Sequence, residues 1–204
     1  YYATRSSDFM PGHLEAFAVA TGNPIWTQIL DRTYQTLEQV QSQYAAGTGL
    51  VPDFILEPTG VPKPADPGFL ENDSDGSYSF NACRVPWRVG VHFLTHGDAR
   101  ARSLLLPLQD WLHGRTGGSP SNIGAGYWLD GDSLPRTEYK SMAFVGPFAV
   151  GAMVDSDRQQ WVNALWDDMD LSESGNDYYG ETLKMLSMIA LSGNWWSPDL
   201  TPCP

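Results

Sequence analysis

Apolar residues recur every three to four positions in segment after segment of this 204-residue chain. A face with that period is buried only by laying one helix against another, so the pattern restricts the chain to an all-α or mainly α architecture. The first such segment covers residues 11–20. After Asn23-Pro24 a second one puts Trp26, Ile29, Leu30, Thr33, Tyr34, Leu37 and Val40 on one face. Periodicity returns at 87–95 and, beyond Gly97-Asp98, at 99–113, where Leu104, Leu105, Leu108, Trp111 and Leu112 coincide. Three more segments follow at 143–154, 157–169 and 178–191. About seven helices are thus predicted, and the alternation that marks strands is poor throughout. Two irregular stretches, 47–78 and 115–139, are far longer than ordinary connections, which marks the first as a functional loop. Short and long connections in alternation predict stacked helical hairpins; on this pattern alone a solenoid and an α/α toroid fit equally.

The chain carries 24 acidic against 12 basic residues, a net charge of -12 spread along its length. Phosphate binding needs a clustered cationic face, so nucleic acid is not an expected partner. Such a surface would steer a cationic polymer toward it, although acidity more often serves solubility alone. Apolar runs are broken before the roughly 20 residues that a spanning helix requires, so no membrane partner is expected. Tyr1-Tyr2-Ala3-Thr4-Arg5 includes no initiator Met and no apolar leader core, which predicts that a preceding segment was removed or left out. Cys83 and Cys203 lack the paired spacing of a zinc site and leave one disulfide or two thiols open. His13, His92, His96 and His113 are scattered and read as ordinary structural or surface residues. No phosphate loop, nucleophile elbow or metal-ligand cluster stands out, so neither metal nor cofactor is expected.

Within this pattern, Tyr78-Ser79-Phe80-Asn81-Ala82-Cys83-Arg84-Val85-Pro86-Trp87-Arg88 resembles the hallmark of glycoside hydrolase family 8. Arg5-Ser6-Ser7-Asp8-Phe9-Met10-Pro11, Thr48-Gly49-Leu50-Val51-Pro52-Asp53-Phe54, Tyr178-Tyr179-Gly180-Glu181-Thr182-Leu183 and Ser192-Gly193-Asn194-Trp195-Trp196 agree in the same order. The resemblance covers nearly the whole chain and implies an (α/α)6 toroid and hydrolysis by inversion. A complete toroid of that kind has six helical pairs, so residues 1–204 are expected to be the C-terminal half of a single catalytic domain. The family's general acid is a Glu in the N-terminal half, and nothing here corresponds to it. The missing half is therefore the expected protein partner.

Most of the family carries its general base as an Asp in the hallmark. Asn81 stands there in this chain, and an amide cannot take a proton from water at neutral pH. The chain resembles instead a subfamily, including chitosanases and some β-glucanases, that combines this Asn with a Glu about ten residues earlier. Phe69-Leu70-Glu71 occupies that place, which makes Glu71 the expected base; its bland reading is a solvated loop residue. Asp73 and Asp75 are nearby competitors for that role, read first as turn formers beside Gly76. Asn81 either holds the attacking water or a sugar hydroxyl, or caps the helix that begins beside it. Arg84 either favours the charged form of Glu71 or makes a structural ion pair. Asp8 lies in a motif that contributes near the cleavage point in the family, where it would also pair with a glucosamine ammonium; the competing reading is an N-cap before Pro11. Trp87, Tyr178 and Tyr179, with Tyr127, Trp128, Trp195 and Trp196, are candidates for stacking on sugar rings, about two of them in contact and the rest in the core.

The expectation is a secreted, endo-acting inverting hydrolase that cuts β-1,4 bonds with a water nucleophile in an open groove. Chitosan leads as substrate because of the Asn81 and Glu71 arrangement and the negative charge, with a β-glucan such as cellulose or lichenan as the alternative. A carbohydrate-binding remnant without activity is the rival if no partner supplies the acid. Secretion also predicts a Cys83–Cys203 disulfide.

Overall fold

The computed structural model describes residues 2–172 and 177–198. Its helices are α1 Pro11–Thr21, α2 Ile25–Tyr44, α3 Val85–His96, α4 Ala99–Thr116, α5 Met142–Ala152, α6 Gln159–Asp170 and α7 Tyr178–Leu191. Each falls on a segment whose periodicity predicts it, with ends shifted by a few residues. Local chemistry explains those ends. Pro11 and Pro86 occupy first turns, where a missing N–H is no loss. Asp98, Ser141 and Asp177 accept from the backbone N–H of Arg100, Ala143 and Gly180 at 2.8, 3.3 and 3.1 Å. Gly22, Gly97 and Gly117 turn left-handed and stop α1, α3 and α4.

The helices stand in two rows. In one row α1, α3, α5 and α7 are successive neighbours; behind it α2, α4 and α6 each pack on the helix that precedes them. This is the stacked-hairpin arrangement of half an α/α toroid. Burial follows position in the row. Every residue of α5 from Ala143 to Ala152 is buried, as a helix apolar on all sides requires, whereas α1 buries only Pro11. Gly90 permits the close crossing of α3 and α5, since a Cβ there would lie 2.9 Å from the Val150 carbonyl oxygen. Leu37, Tyr78, Leu104, Phe144, Phe148 and Leu165 belong to the core between the rows.

Among the described residues, three short strands appear where the sequence shows little strand signal. β1 Ala3–Arg5, β2 Phe54–Leu56 and β3 Lys63–Pro64 form an antiparallel sheet in the order β1-β2-β3, with Arg5 opposite Phe54 and Ala3 opposite Leu56. Strands this short, paired across the whole of α1 and α2, leave no local period to read. Their effect is to pin the segment before α1 against the long loop that joins α2 to α3.

No described helix is long and apolar enough to cross a membrane. Cys83 is buried, with its Sγ 3.3 Å from the Phe80 carbonyl oxygen. The expected disulfide partner, Cys203, lies outside the described residues.

Candidate active site

Two buried carboxylates shape the backbone on which the site stands. Asp75 has no exposed surface, and it collects three successive N–H groups: those of Leu70 and Glu71 on Oδ2, at 2.6 and 3.0 Å, and that of Asn72 on Oδ1, at 3.1 Å. Charge-assisted bonds of this kind are among the stronger ones, and three of them fix the loop at Glu71. The loop is closed tightly behind Asp75, because a Cβ at Gly76 would meet the Ala65 carbonyl oxygen at 2.1 Å. Asp75 thus forms a turn, as its place beside Gly76 predicts, and the product of that turn is a fixed Glu71.

Asp53, which precedes β2, does the same for the hallmark segment. Its Oδ1 accepts from the backbone N–H of Ser79, Asn81 and Ala82 at 3.0, 3.2 and 2.6 Å. Burial pushes its carboxyl up to about 6, against the pull of those donors in the other direction. Asn81 makes no side-chain cap bond to the 3-10 turn Ala82–Arg84, so the capping reading of Asn81 is set aside. Its amide is directed elsewhere.

Asn81 Nδ2 donates to Glu71 Oε2 at 2.9 Å, and the Arg5 guanidinium holds Glu71 Oε1. Arg84 Nη2 donates to Asn81 Oδ1 and to Ser7 Oγ, both at 2.8 Å. Arg84 therefore reaches Glu71 through Asn81, and the guanidinium in direct contact is Arg5, which the sequence did not single out. The sheet explains this: pairing β1 with β2 carries Arg5 across to the loop. Glu71 keeps 36 % of its side chain exposed, so water has access to it.

Asp8 is exposed at the end of the 3-10 turn Ser6–Asp8. It is not the N-cap before Pro11; Met10 has that position, with no side-chain bond. Asp8 instead acts on Arg88, whose guanidinium is lowered from its ordinary value by burial and by Arg84, with Asp8 working in the opposite sense.

The aromatic candidates divide by burial. Trp87 is 8 % exposed, packs edge-on against Trp195 at 5.5 Å and has the Arg88 guanidinium 5.1 Å over its ring, so it is a packing residue with little face left for a sugar. Tyr127 is buried as well. Tyr179 is half-buried and donates its hydroxyl to the Phe80 carbonyl at 2.6 Å, which ties the start of α7 to the hallmark. Tyr178, Trp196 and Trp128 present open rings, at 86, 74 and 39 % exposure. Trp128 borders a cleft of about 420 Å³ shared with Pro67, Asp73 and Asp130, beside the Glu71 loop. The histidines are not all scattered: donor atoms of Glu15, His92 and His96 lie within 4.8 Å of one another.

Of the residues missed from the sequence, Arg5, Ser7 and Asp53 sit inside segments that match the family, and a charged or polar residue within such a segment was the available signal. Asp75 was read as a turn former, but its bonds to the backbone N–H groups of Leu70, Glu71 and Asn72 had no signal beyond its neighbour Gly76.

No family model matches the chain. A β-glucanase of Niallia circulans is 42 % identical over 195 residues, covering 96 % of this chain and 47 % of that protein. An endoglucanase of Bacillus sp. strain KSM-330 is 35 % identical over 198 residues, covering 97 % and 42 %. A solved β-1,3-1,4-glucanase from Paenibacillus sp. X4 superposes with a TM-score of 0.92 at 42 % identity, over 97 % of this chain and 51 % of that one. A GH8 xylobiose complex from Teredinibacter turnerae superposes at 0.77 with 17 % identity, a likeness of fold alone. The chain spans about half the length of the curated relatives it matches. Its likeness to glucanases along nearly its whole length, on a half-toroid shared with GH8 structures, places the chain in glycoside hydrolase family 8.

Proposed function

We propose that this chain is the C-terminal half of an endo-acting, inverting hydrolase of a β-linked polysaccharide, with Glu71 as its general base. The observation that carries the reading is the Asn81 to Glu71 hydrogen bond of 2.9 Å, which brings a carboxylate from the long loop to the hallmark position where an amide has replaced one. Each Glu71 oxygen is engaged by one donor, and a carboxylate has lone pairs enough to accept a water hydrogen besides. In the inverting reaction Glu71 takes that hydrogen as the water oxygen bonds to the anomeric carbon. The leaving sugar oxygen takes a proton from a carboxylic acid on the opposite face, roughly 6.5 to 9.5 Å from the base. That acid belongs to the remainder of the toroid. Asn81 and Arg5 position Glu71, Arg84 holds Asn81 through its Oδ1, and the open rings of Tyr178 and Trp128 offer stacking surface.

A β-glucan is the favoured substrate, because the relatives at 42 and 35 % identity are named as a β-glucanase and an endoglucanase. Chitosan is the second reading, supported by the Asn81 and Glu71 arrangement and by the net charge of -12, which attracts a polycation. Either polymer is too large to enter a cell, so the reading carries secretion with it.

With the acid-bearing half present, Glu71→Gln should leave folding and oligosaccharide binding intact and lower turnover at least about a hundredfold on both polymers, the scale of losing a general base. Adding Asn81→Asp to that variant should restore part of the rate, since a carboxylate at position 81 would stand beside the Glu71 position. Near-normal turnover by Glu71→Gln on both polymers would assign the base elsewhere, Asp8 first. Absence of hydrolysis by the unaltered protein would favour a binding remnant.

A further inference from the structure

We propose that Glu15, His92 and His96 form a binding site for one divalent cation of the zinc class. The site lies outside the Glu71 network and shares no residue with it. His92 and His96 are four residues apart on α3 and so share a face, and Glu15 comes from the neighbouring α1. The three donor atoms lie within 4.8 Å of one another.

Each imidazole is held by a hydrogen bond on one ring nitrogen. His92 Nδ1 meets the Tyr34 hydroxyl of α2 at 2.6 Å, and His96 Nδ1 meets Thr95 Oγ1 at 2.7 Å. Thr95 Oγ1 donates its own hydrogen to the Val91 carbonyl at 2.8 Å, so it accepts from His96 Nδ1. Partners of this kind on the remote nitrogen are what hold metal-ligating histidines in place. His92 has no exposed side-chain surface, so its ring is held in place by packing as well as by Tyr34.

His92 Nε2 now lies 2.6 Å from Glu15 Oε2, as a hydrogen bond. A cation would take the place of that hydrogen. The hydrogen shifts to Nδ1, the Tyr34 hydroxyl turns from donor to acceptor, and the ring stays neutral throughout. Zinc bonds of about 2.0 to 2.2 Å put tetrahedral ligands roughly 3.3 Å apart, so the wider donor spacings, up to 4.8 Å, must close by up to about 1.5 Å through side-chain rotation and the Glu15 side chain must withdraw from His92 by under about 1 Å. Its 37 % exposure gives it that freedom and admits a water as fourth ligand. Two imidazoles and one carboxylate suit zinc, cobalt or nickel, and disfavour calcium and magnesium, which prefer all-oxygen sets. The gain is mechanical: the cation joins α3 to α1, the helix with the least burial of its own.

The test uses untagged, metal-free protein titrated with zinc chloride by calorimetry and with cobalt by visible absorption. The expected result is one cation per chain, a tetrahedral cobalt band, and a melting midpoint raised by several degrees at about a hundredfold excess of zinc over its dissociation constant. His96→Ala spares the Tyr34–His92–Glu15 bonds, so it should keep the fold while weakening zinc at least about tenfold and abolishing the cobalt band. Glu15→Gln should weaken zinc similarly. His13→Ala, at a residue beside His96 on the same cleft, should change nothing. No saturable one-to-one binding, affinity unchanged by both His96→Ala and Glu15→Gln, or affinity lost only in His13→Ala would each overturn the proposal.

Discussion

At the scale of single residues, the site is built by charged side chains acting on backbone and on one another. Glu71 alone would be a mobile loop side chain; Asn81 and Arg5 together take one oxygen each and leave it a defined position. Asp53 works underneath, and its state has a measurable consequence. Its folded value of about 6 lies above the ordinary 3.8, so the folded chain holds that proton more tightly than the unfolded one. The stability this group supplies is therefore fully present below about pH 4 and is lost as pH rises through about 6. A two-unit displacement corresponds to about 3 kcal/mol at most. Asp53→Asn keeps an oxygen acceptor for the three N–H groups without the charge, so urea midpoints of the variant should fall less steeply between pH 4 and 6 than those of the unaltered protein. Equal slopes would mean that the backbone donors keep Asp53 ionised in spite of burial.

Elements matter to the chemistry chiefly through the loop between α2 and α3. Its length marks it as functional, yet length says nothing about how a long loop holds a side chain such as Glu71 still. Asp75 supplies the answer with three N–H bonds to Leu70, Glu71 and Asn72. Asp75→Ala would leave those donors without their acceptor, at about 1 to 3 kcal/mol for each one that stays buried. The expected outcome is turnover reduced at least about tenfold with KM moved much less, because Glu71 loses its placement while the sugar contacts remain. Asp75→Asn, retaining one acceptor oxygen, should fall between the two. Full turnover by Asp75→Ala would show that Arg5 and Asn81 position Glu71 without help from the loop. Trp87 teaches the complementary lesson: an aromatic inside the hallmark looks like a sugar platform in the sequence, and its helix buries it against Trp195.

For the molecule as a whole, the decisive feature is that the row α1, α3, α5, α7 has two ends. α5, in the interior of the row, is enclosed; α1 and α7, at the ends, leave Phe17, Val19 and Met185 at 43, 53 and 57 % exposure. Apolar side chains at both ends are what a toroid cut in half would show, and the missing helices would cover them. The prediction is that this chain, mixed with the acid-bearing remainder of the fold as a separate polypeptide, forms a one-to-one complex that melts higher than either part and hydrolyses polymer, while neither part does so alone. Size-exclusion chromatography with light scattering and a reducing-sugar assay would decide it. A lone chain that is monomeric, equally stable and active would sink the half-toroid reading.

Helix positions were legible in the sequence because a 3.6-residue period and its Pro, Gly and Asp punctuation are written among near neighbours. The family was legible too, since the segments that match it are contiguous runs of residues. Arg5 against Glu71 joins positions 66 residues apart, and Tyr34, Glu15 and His92 meet from three helices. Such contacts depend on how β1 registers on β2 and how α1 and α2 lie on α3, quantities that no local pattern encodes. Sequence determined which helices form; tertiary structure alone decided the short strands and the partners each side chain meets, because these are set by the packing of whole elements.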